Sequence, residues 1–167
     1  MILVTHSLIG VVITEPLHNN WLIFFTAFFT HYLFDMLPHY HYRIDDFKGS
    51  LPNANRLYAF GSRFKTLSFL KFFLDFSLAV VLPLIFIKPG LAVVLAISGA
   101  VLPDFLSFLG FTFPKNKILA FIYAFHYKVH LGVRYILDSR PVFGMFLNIV
   151  YTLIALYLVM TQHFFIS

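Results

Sequence analysis

The sequence predicts an all-α integral membrane protein with about five spanning or partly spanning helices and one interfacial helix. Hydrophobic residues make up 60% of the 167 residues and charged residues only 11%, a balance outside the usual range of soluble proteins. The basic residues lie in short connections between apolar segments and form no groove suited to nucleic acid. The length fits one helical domain, and the absence of cysteine excludes thiolate metal ligands.

Two apolar segments at the beginning of the chain predict an antiparallel pair of helices. The first covers residues 2–14 and is closed by Pro16; it lacks the basic start and small-residue cleavage site of a signal peptide. The second begins near Trp21 and ends before Pro38, which has no backbone N–H to donate. Because the connection is short, His6 is expected at the same membrane face as the end of the second helix.

Residues 30–41 hold the densest group of ionisable side chains. His31 and Asp35 are four residues apart and share one helix face, while His39 and His41 follow on the exit turn. Imidazole and carboxylate are ligands that zinc accepts. The alternative is that these side chains are interfacial amphiphiles with no common ligand.

A polar segment over residues 39–64 predicts a loop outside the bilayer, followed by a third helix over 65–87. That helix is long enough to span and carries Lys71 and Asp75 one turn apart, which predicts an ion pair or a hydrogen-bond clamp. The interpretation of Asp75 as a metal ligand is the weaker of the two.

The fourth helix is predicted over residues 91–109. Its small residues Ser98, Gly99 and Ala100 would allow a neighbouring helix to approach closely. Asp104 follows Pro103 and should return to the membrane face that holds the histidines. It is therefore a candidate ligand, although a polar residue beside a proline kink is the alternative.

A fifth helix over residues 117–132 places His126 and His130 one turn apart on one face. If this helix crossed the bilayer, the basic residues Arg134 and Arg140 would lie opposite those of residues 43–65. If it lies in the interface, every basic loop except that of Lys88 falls on one side, as the positive-inside rule favours.

The interfacial arrangement predicts a cytoplasmic N-terminus and a C-terminus on the far side. The last apolar segment, residues 141–165, is expected to anchor the protein, and residues 1–132 form the candidate metal-site bundle. The expected location is the inner (plasma) membrane, crossed several times.

The chain contains four short motifs, which are Thr5-His6-Ser7, His31-x-x-x-Asp35, Leu37-Pro38-His39 and Leu102-Pro103-Asp104. Together they resemble the predicted membrane-bound metal-dependent hydrolases of bacterial and archaeal inner membranes, over roughly residues 1–130. In those hydrolases the Leu-Pro-Asp is often followed by a further Asp or His, where this chain has Phe-Leu-Ser-Phe at residues 105–108. The His-x-x-x-Asp spacing is more distantly similar to that of helical zinc-dependent phospholipases C and single-strand nucleases.

The resemblance implies a hydrolase that acts on a phosphoester or lipid-like substrate from the membrane. We expect His31, Asp35 and Asp104 to be catalytic and a divalent metal, zinc, to be the cofactor. Arg43, Arg134 and Arg140 are candidate headgroup contacts or simple orientation signals. The expected metal ligands are His6, His31, Asp35, His39, Asp104, His126 and His130.

Two other functions fit the same residues. One is a non-catalytic membrane protein in which the cluster holds a structural metal or a polar assembly site. The other is transport, for which intramembrane His and Asp are also typical. Against transport, the ionisable groups gather at one face and only Lys71 and Asp75 are expected deeper in the bilayer.

Overall fold

A computed structural model describes residues 3–39, 66–113, 115–138 and 141–164. This part of the chain contains six helices and no strand, which confirms the all-α prediction. Of the predicted polar loop, residues 40–64 lie outside the described residues, as does residue 65, where the third helix was expected to begin. The helices are α1 (Leu3–Thr14), α2 (Asn20–Asp35), α3 (Thr66–Phe86), α4 (Leu91–Thr112), α5 (Lys117–Asp138) and α6 (Pro141–Phe164).

The helix ends follow from local sequence. Asn19 caps α2, its Oδ1 accepting from the backbone N–H groups of Trp21 and Leu22 at 2.9 and 3.2 Å. The same helix ends at Asp35, just ahead of Pro38. Helix α5 differs from its prediction because it continues through Gly132 to Asp138. A single glycine costs a helix only ~1 kcal/mol relative to alanine, which flanking helix formers offset.

Helix α1 is the centre of the bundle. It contacts α2, α3, α4 and α6, and every side chain from Leu3 to Val11 is buried. Twelve residues extend only about 18 Å, well short of the ~30 Å hydrocarbon core of a bilayer. Helix α1 is therefore a short central helix enclosed by longer ones.

Close packing against α4 depends on glycine. A Cβ at Gly99 would collide with the backbone carbonyl of Phe24 in α2, and one at Gly110 would collide with that of Leu119 in α5. The predicted small-residue patch thus brings α2 against α4, and Gly110 does the same for α5. These contacts bring the polar residues of α2, α4 and α5 within reach of each other.

The outer surface of the bundle is apolar. Large hydrophobic side chains such as Trp21, Phe121 and Val142 are exposed, Val142 to 79%. Two helical segments in the described part of the chain, residues 91–110 and 142–161, are long and apolar enough to cross a membrane. The number of spans and their orientation stay predictions.

Candidate metal centre

All seven residues predicted as metal ligands gather in one cluster, mostly buried. Five parts of the fold supply them. Pro38 turns the chain, so that His39 faces back toward the end of α2. Helix α1 provides His6, α2 provides His31 and Asp35, the turn after α2 provides His39, α4 provides Asp104, and α5 provides His126 and His130.

Asp35 lies at the middle of the cluster. Its Oδ1 is 2.9 Å from His6 Nε2 and 3.8 Å from His39 Nε2. Its Oδ2 is 2.9 Å from His31 Nε2 and 3.2 Å from His130 Nε2. With a side chain only 1% exposed, Asp35 depends on these groups to offset the cost of burying its charge.

Asp104 is the second carboxylate of the cluster. Its Oδ1 is 3.1 Å from His126 Nε2 and 3.8 Å from His31 Nε2. The Asp104 side chain is 24% exposed, whereas the imidazoles are buried. The cluster is thus accessible from the Asp104 side, next to Tyr32, whose ring contacts those of His126 and Phe125.

Two backbone carbonyls orient the imidazoles. His31 Nδ1 donates to the carbonyl of Ala100 at 2.7 Å, and His39 Nδ1 donates to the carbonyl of Leu37 at 2.6 Å. In a neutral imidazole this leaves Nε2 with a lone pair. His31 Nε2 makes no hydrogen bond although Asp35 Oδ2 is 2.9 Å away. At that distance either a proton on Nε2 or a metal ion bound by both atoms satisfies the pair.

His39, on the turn after α2, and His130, on α5 outside the two segments long enough to cross a membrane, favour the neutral form that a metal requires. Burial lowers the pKa of His39 to about 2. Burial also lowers the pKa of His130. Both rings therefore present lone pairs and not charges at neutral pH.

The described residues include two groups that could hold a metal ion. One consists of His31, Asp35, Asp104 and His126, and the other of Asp35, His39 and His130. Within each group the ligand atoms lie within 4.8 Å of one another. Asp35 belongs to both.

His6 lies outside both groups. Its Nε2 donates to Asp35 Oδ1 at 2.9 Å, since an ionised carboxylate can only accept. Its ring stacks on that of His31 with centroids 3.9 Å apart. The geometry gives His6 the position of a group that orients Asp35, which is how outer partners of metal ligands act.

The residues that fix α1 were not foreseen. The Thr5 hydroxyl lies 2.6 Å from that of Thr152 in α6, and the Ser7 hydroxyl donates to the Ala79 carbonyl of α3. Asp75, predicted to pair with Lys71, accepts from the backbone N–H groups of Leu3 and Val4 at 2.9 and 3.3 Å. In the sequence, the hydroxyl side chains of Thr5 and Ser7 on either side of His6 were the signal from which these contacts could have been expected.

Comparison of the chain with protein-family models, with curated proteins and with solved structures finds no match. The resemblance to membrane-bound hydrolases therefore rests on the four motifs alone. His41, Arg43 and Arg140 lie outside the described residues, and the side chain of Arg134 is not described either.

Proposed function

We propose that the protein is a membrane-embedded, metal-dependent hydrolase acting on a phosphoester or lipid-like substrate at the cytoplasmic face. The observation that carries this proposal is the convergence of imidazole Nε2 atoms and two carboxylates from helices α2, α4 and α5 and from the turn after α2. Backbone carbonyls hold the Nδ1 atoms of His31 and His39, so their lone pairs point inward. Such an arrangement costs stability unless a cation fills it.

Zinc is the metal that the ligand chemistry favours. The groups supply only nitrogen and oxygen donors, and the chain has no cysteine. A bound zinc ion supplies a water of lowered pKa and neutralises charge on a phosphoryl or carbonyl oxygen. The protein would contribute orientation: Asp35 and His31 fix the ligand positions, and His6 holds Asp35 in place.

The surroundings of the open side support a lipid-like substrate. Asp104 is the accessible ligand, and the nearby side chains Phe105 and Phe125 are exposed apolar groups. On a molecule with an apolar outer surface, such groups face acyl chains and not water. A substrate with an ester headgroup and an apolar tail could reach Asp104 without leaving the membrane.

The test measures metal and turnover together in protein purified without chelators. We expect zinc to copurify, and hydrolysis of an aryl phosphodiester or of phospholipid vesicles to stop on chelation and return with zinc. His31→Ala and Asp35→Ala should each lose most of the metal while the protein stays inserted and helical. His18→Ala is the matched control, since His18 is exposed and outside the cluster.

Absence of metal, or full metal content in both variants, would refute the site. Metal without turnover on any ester would favour the alternative, a structural metal in a non-catalytic membrane protein. The deep burial of Asp35, His39 and His130 is the observation that keeps this alternative in view, because structural zinc sites are closed.

The membrane orientation has its own tests. A reporter active only in the cytoplasm should work when inserted in residues 39–64 and fail when fused after Ser167. Lys128, an exposed residue between His126 and His130, should react as Lys128→Cys with a polar thiol reagent from the cytoplasmic side if α5 lies in the interface. Protection from both sides would show that α5 spans the bilayer.

A further inference from the structure

We infer that Tyr32 is a substrate-binding residue, whose hydroxyl group donates a hydrogen bond to an ester oxygen of a substrate held beside Asp104. This inference rests on the proposed function and adds to it a residue that contacts the substrate. Tyr32 follows His31 on α2, and its side chain is half-buried. It lies at the open side of the cluster.

The ring of Tyr32 is held by four neighbouring rings. On α2 its centroid lies 5.6 Å from that of Phe28 and 5.5 Å from that of His31. From α5, Phe125 and His126 approach it with centroids at 5.3 and 5.7 Å. All four contacts are edge-to-face, the arrangement that aromatic pairs favour. The ring is therefore positioned from two helices without help from its hydroxyl group.

The hydroxyl group of Tyr32 has no role in this packing. No hydrogen bond joins it to another residue within the described part of the chain. The phenylalanines of the same helix show that its aromatic surface packs without phenolic groups, and they are Phe24, Phe25, Phe28, Phe29 and Phe34. A phenolic O–H near an apolar surface gains free energy from a hydrogen-bond acceptor. We look for that acceptor in a ligand.

His126 connects Tyr32 to the accessible carboxylate of the cluster. Its ring contacts that of Tyr32, and its Nε2 is 3.1 Å from Asp104 Oδ1. Asp104 is 24% exposed, whereas His126 and Asp35 are buried. An ester that reaches the cluster at Asp104 therefore comes within reach of the Tyr32 side chain. A donor fixed there would orient the ester before it reacts.

Exposed apolar side chains surround Tyr32, namely Phe29 and Leu33 on α2 and Phe125 on α5. The apolar tail of a lipid-like substrate could lie along them while its ester accepts from the hydroxyl group. A tyrosine at a membrane–water interface has similar surroundings without binding a substrate. Kinetics on a substrate distinguish the two roles.

The experiment removes only the hydroxyl group, as Tyr32→Phe, in the purified full-length protein loaded with zinc. The probes are bis(4-nitrophenyl) phosphate, an anionic ester, and 4-nitrophenyl butyrate, a neutral one. On the ester that the wild type hydrolyses, KM should rise about tenfold for the anionic and about fivefold for the neutral acceptor. The kcat should stay within about twofold, because the contact forms on binding and persists through the reaction.

Two controls separate binding from packing. Zinc content should equal that of the wild type, since Tyr32→Phe keeps the ring that contacts His126. Tyr157→Phe is the matched variant, because Tyr157 is an exposed tyrosine on α6 away from the cluster, and its KM should not change.

The outcomes distinguish this inference from the proposed function. No turnover of either ester by the wild type would overturn both. Turnover with the same KM in the wild type and in Tyr32→Phe would keep the proposed function and make Tyr32 an interfacial residue. Loss of zinc in Tyr32→Phe, or a fall in kcat with KM unchanged, would show that Tyr32 acts through His126 and would overturn its contact with the substrate.

Discussion

Helices α1 and α6 pack against each other, yet they meet opposite surroundings. In α1 every side chain from Leu3 to Val11 is buried, including Thr5, His6 and Ser7. In α6 large apolar side chains such as Phe146 and Leu153 are exposed, although Thr152 and Asn148 turn inward. The short helix is surrounded by protein and can carry polar groups, whereas the long one faces outward and carries few.

The difference also explains why the candidate metal centre lies beside α1. A buried polar group needs a partner within the protein, and an enclosed helix has partners on all sides. His6 uses Asp35, Ser7 uses the Ala79 carbonyl, and Thr5 uses Thr152. Substitutions of matched type in the two helices should therefore have unequal effects.

The largest difference is expected for leucine truncation. Leu8 in α1 is 0% exposed and belongs to the core cluster, whereas Leu153 in α6 is 59% exposed. Leu8→Ala should lower the free energy of unfolding in mixed micelles by about 2–5 kcal/mol, since it leaves a cavity. Leu153→Ala should cost less than ~1 kcal/mol because lipid or detergent fills the space. Equal costs would show that α6 is covered by protein.

An intermediate effect is expected at the beginning of α1. Asp75→Ala removes the acceptor for two backbone N–H groups and should cost about 1–2 kcal/mol. Asp75→Asn should restore part of this, because the amide oxygen still accepts. Lys71→Ala, one turn away and exposed, is the control; a loss as large as that of Asp75→Ala would restore the ion-pair interpretation.

The sequence predicted these surroundings unevenly. Six helices could be placed because long apolar segments are separated by turn residues such as Pro16 and Pro89, and because Asn19 is a strong cap. His31 and Asp35 could be placed together because four-residue spacing fixes a helix face whatever the packing. The expected approach of His6 and Asp104 followed from alternating chain direction. That of His126 and His130 followed from the interfacial placement of their helix, which the distribution of basic residues favours.

What could not be predicted depends on the register between helices. The carbonyl groups of Ala100 and Leu37 orient the imidazoles, and every residue has such a carbonyl, so no sequence signal marks them. Asp75 and Lys71 fit the spacing of a local pair, yet tertiary packing places the Asp75 carboxylate at the start of α1. His6 could not be distinguished from a direct metal ligand in the sequence, because its hydrogen bond to Asp35 depends on how α1 packs against α2.

The smallest effect should come from hydroxyl removal, at Thr5 in α1 and Thr161 in α6. Thr152 Oγ1 donates to the Asn148 carbonyl at 2.8 Å, so Thr5 must be the donor in the 2.6 Å contact between Thr5 and Thr152. Thr161 instead donates to the Tyr157 carbonyl of its own helix at 3.0 Å.

Thr5→Val keeps the shape of the side chain and removes only that donor, and Thr152 keeps its own bond to Asn148. The expected cost is therefore about 0.6 kcal/mol, the average for an interhelical hydrogen bond in a membrane. Thr161→Val should cost almost nothing, since the Tyr157 carbonyl keeps its helical partner. Thr152→Val should cost more than Thr5→Val, because it leaves the buried Thr5 hydroxyl without its acceptor. Unfolding measurements on the three variants that place Thr161→Val highest would contradict the assignment of α1 as the enclosed helix and α6 as the outward one.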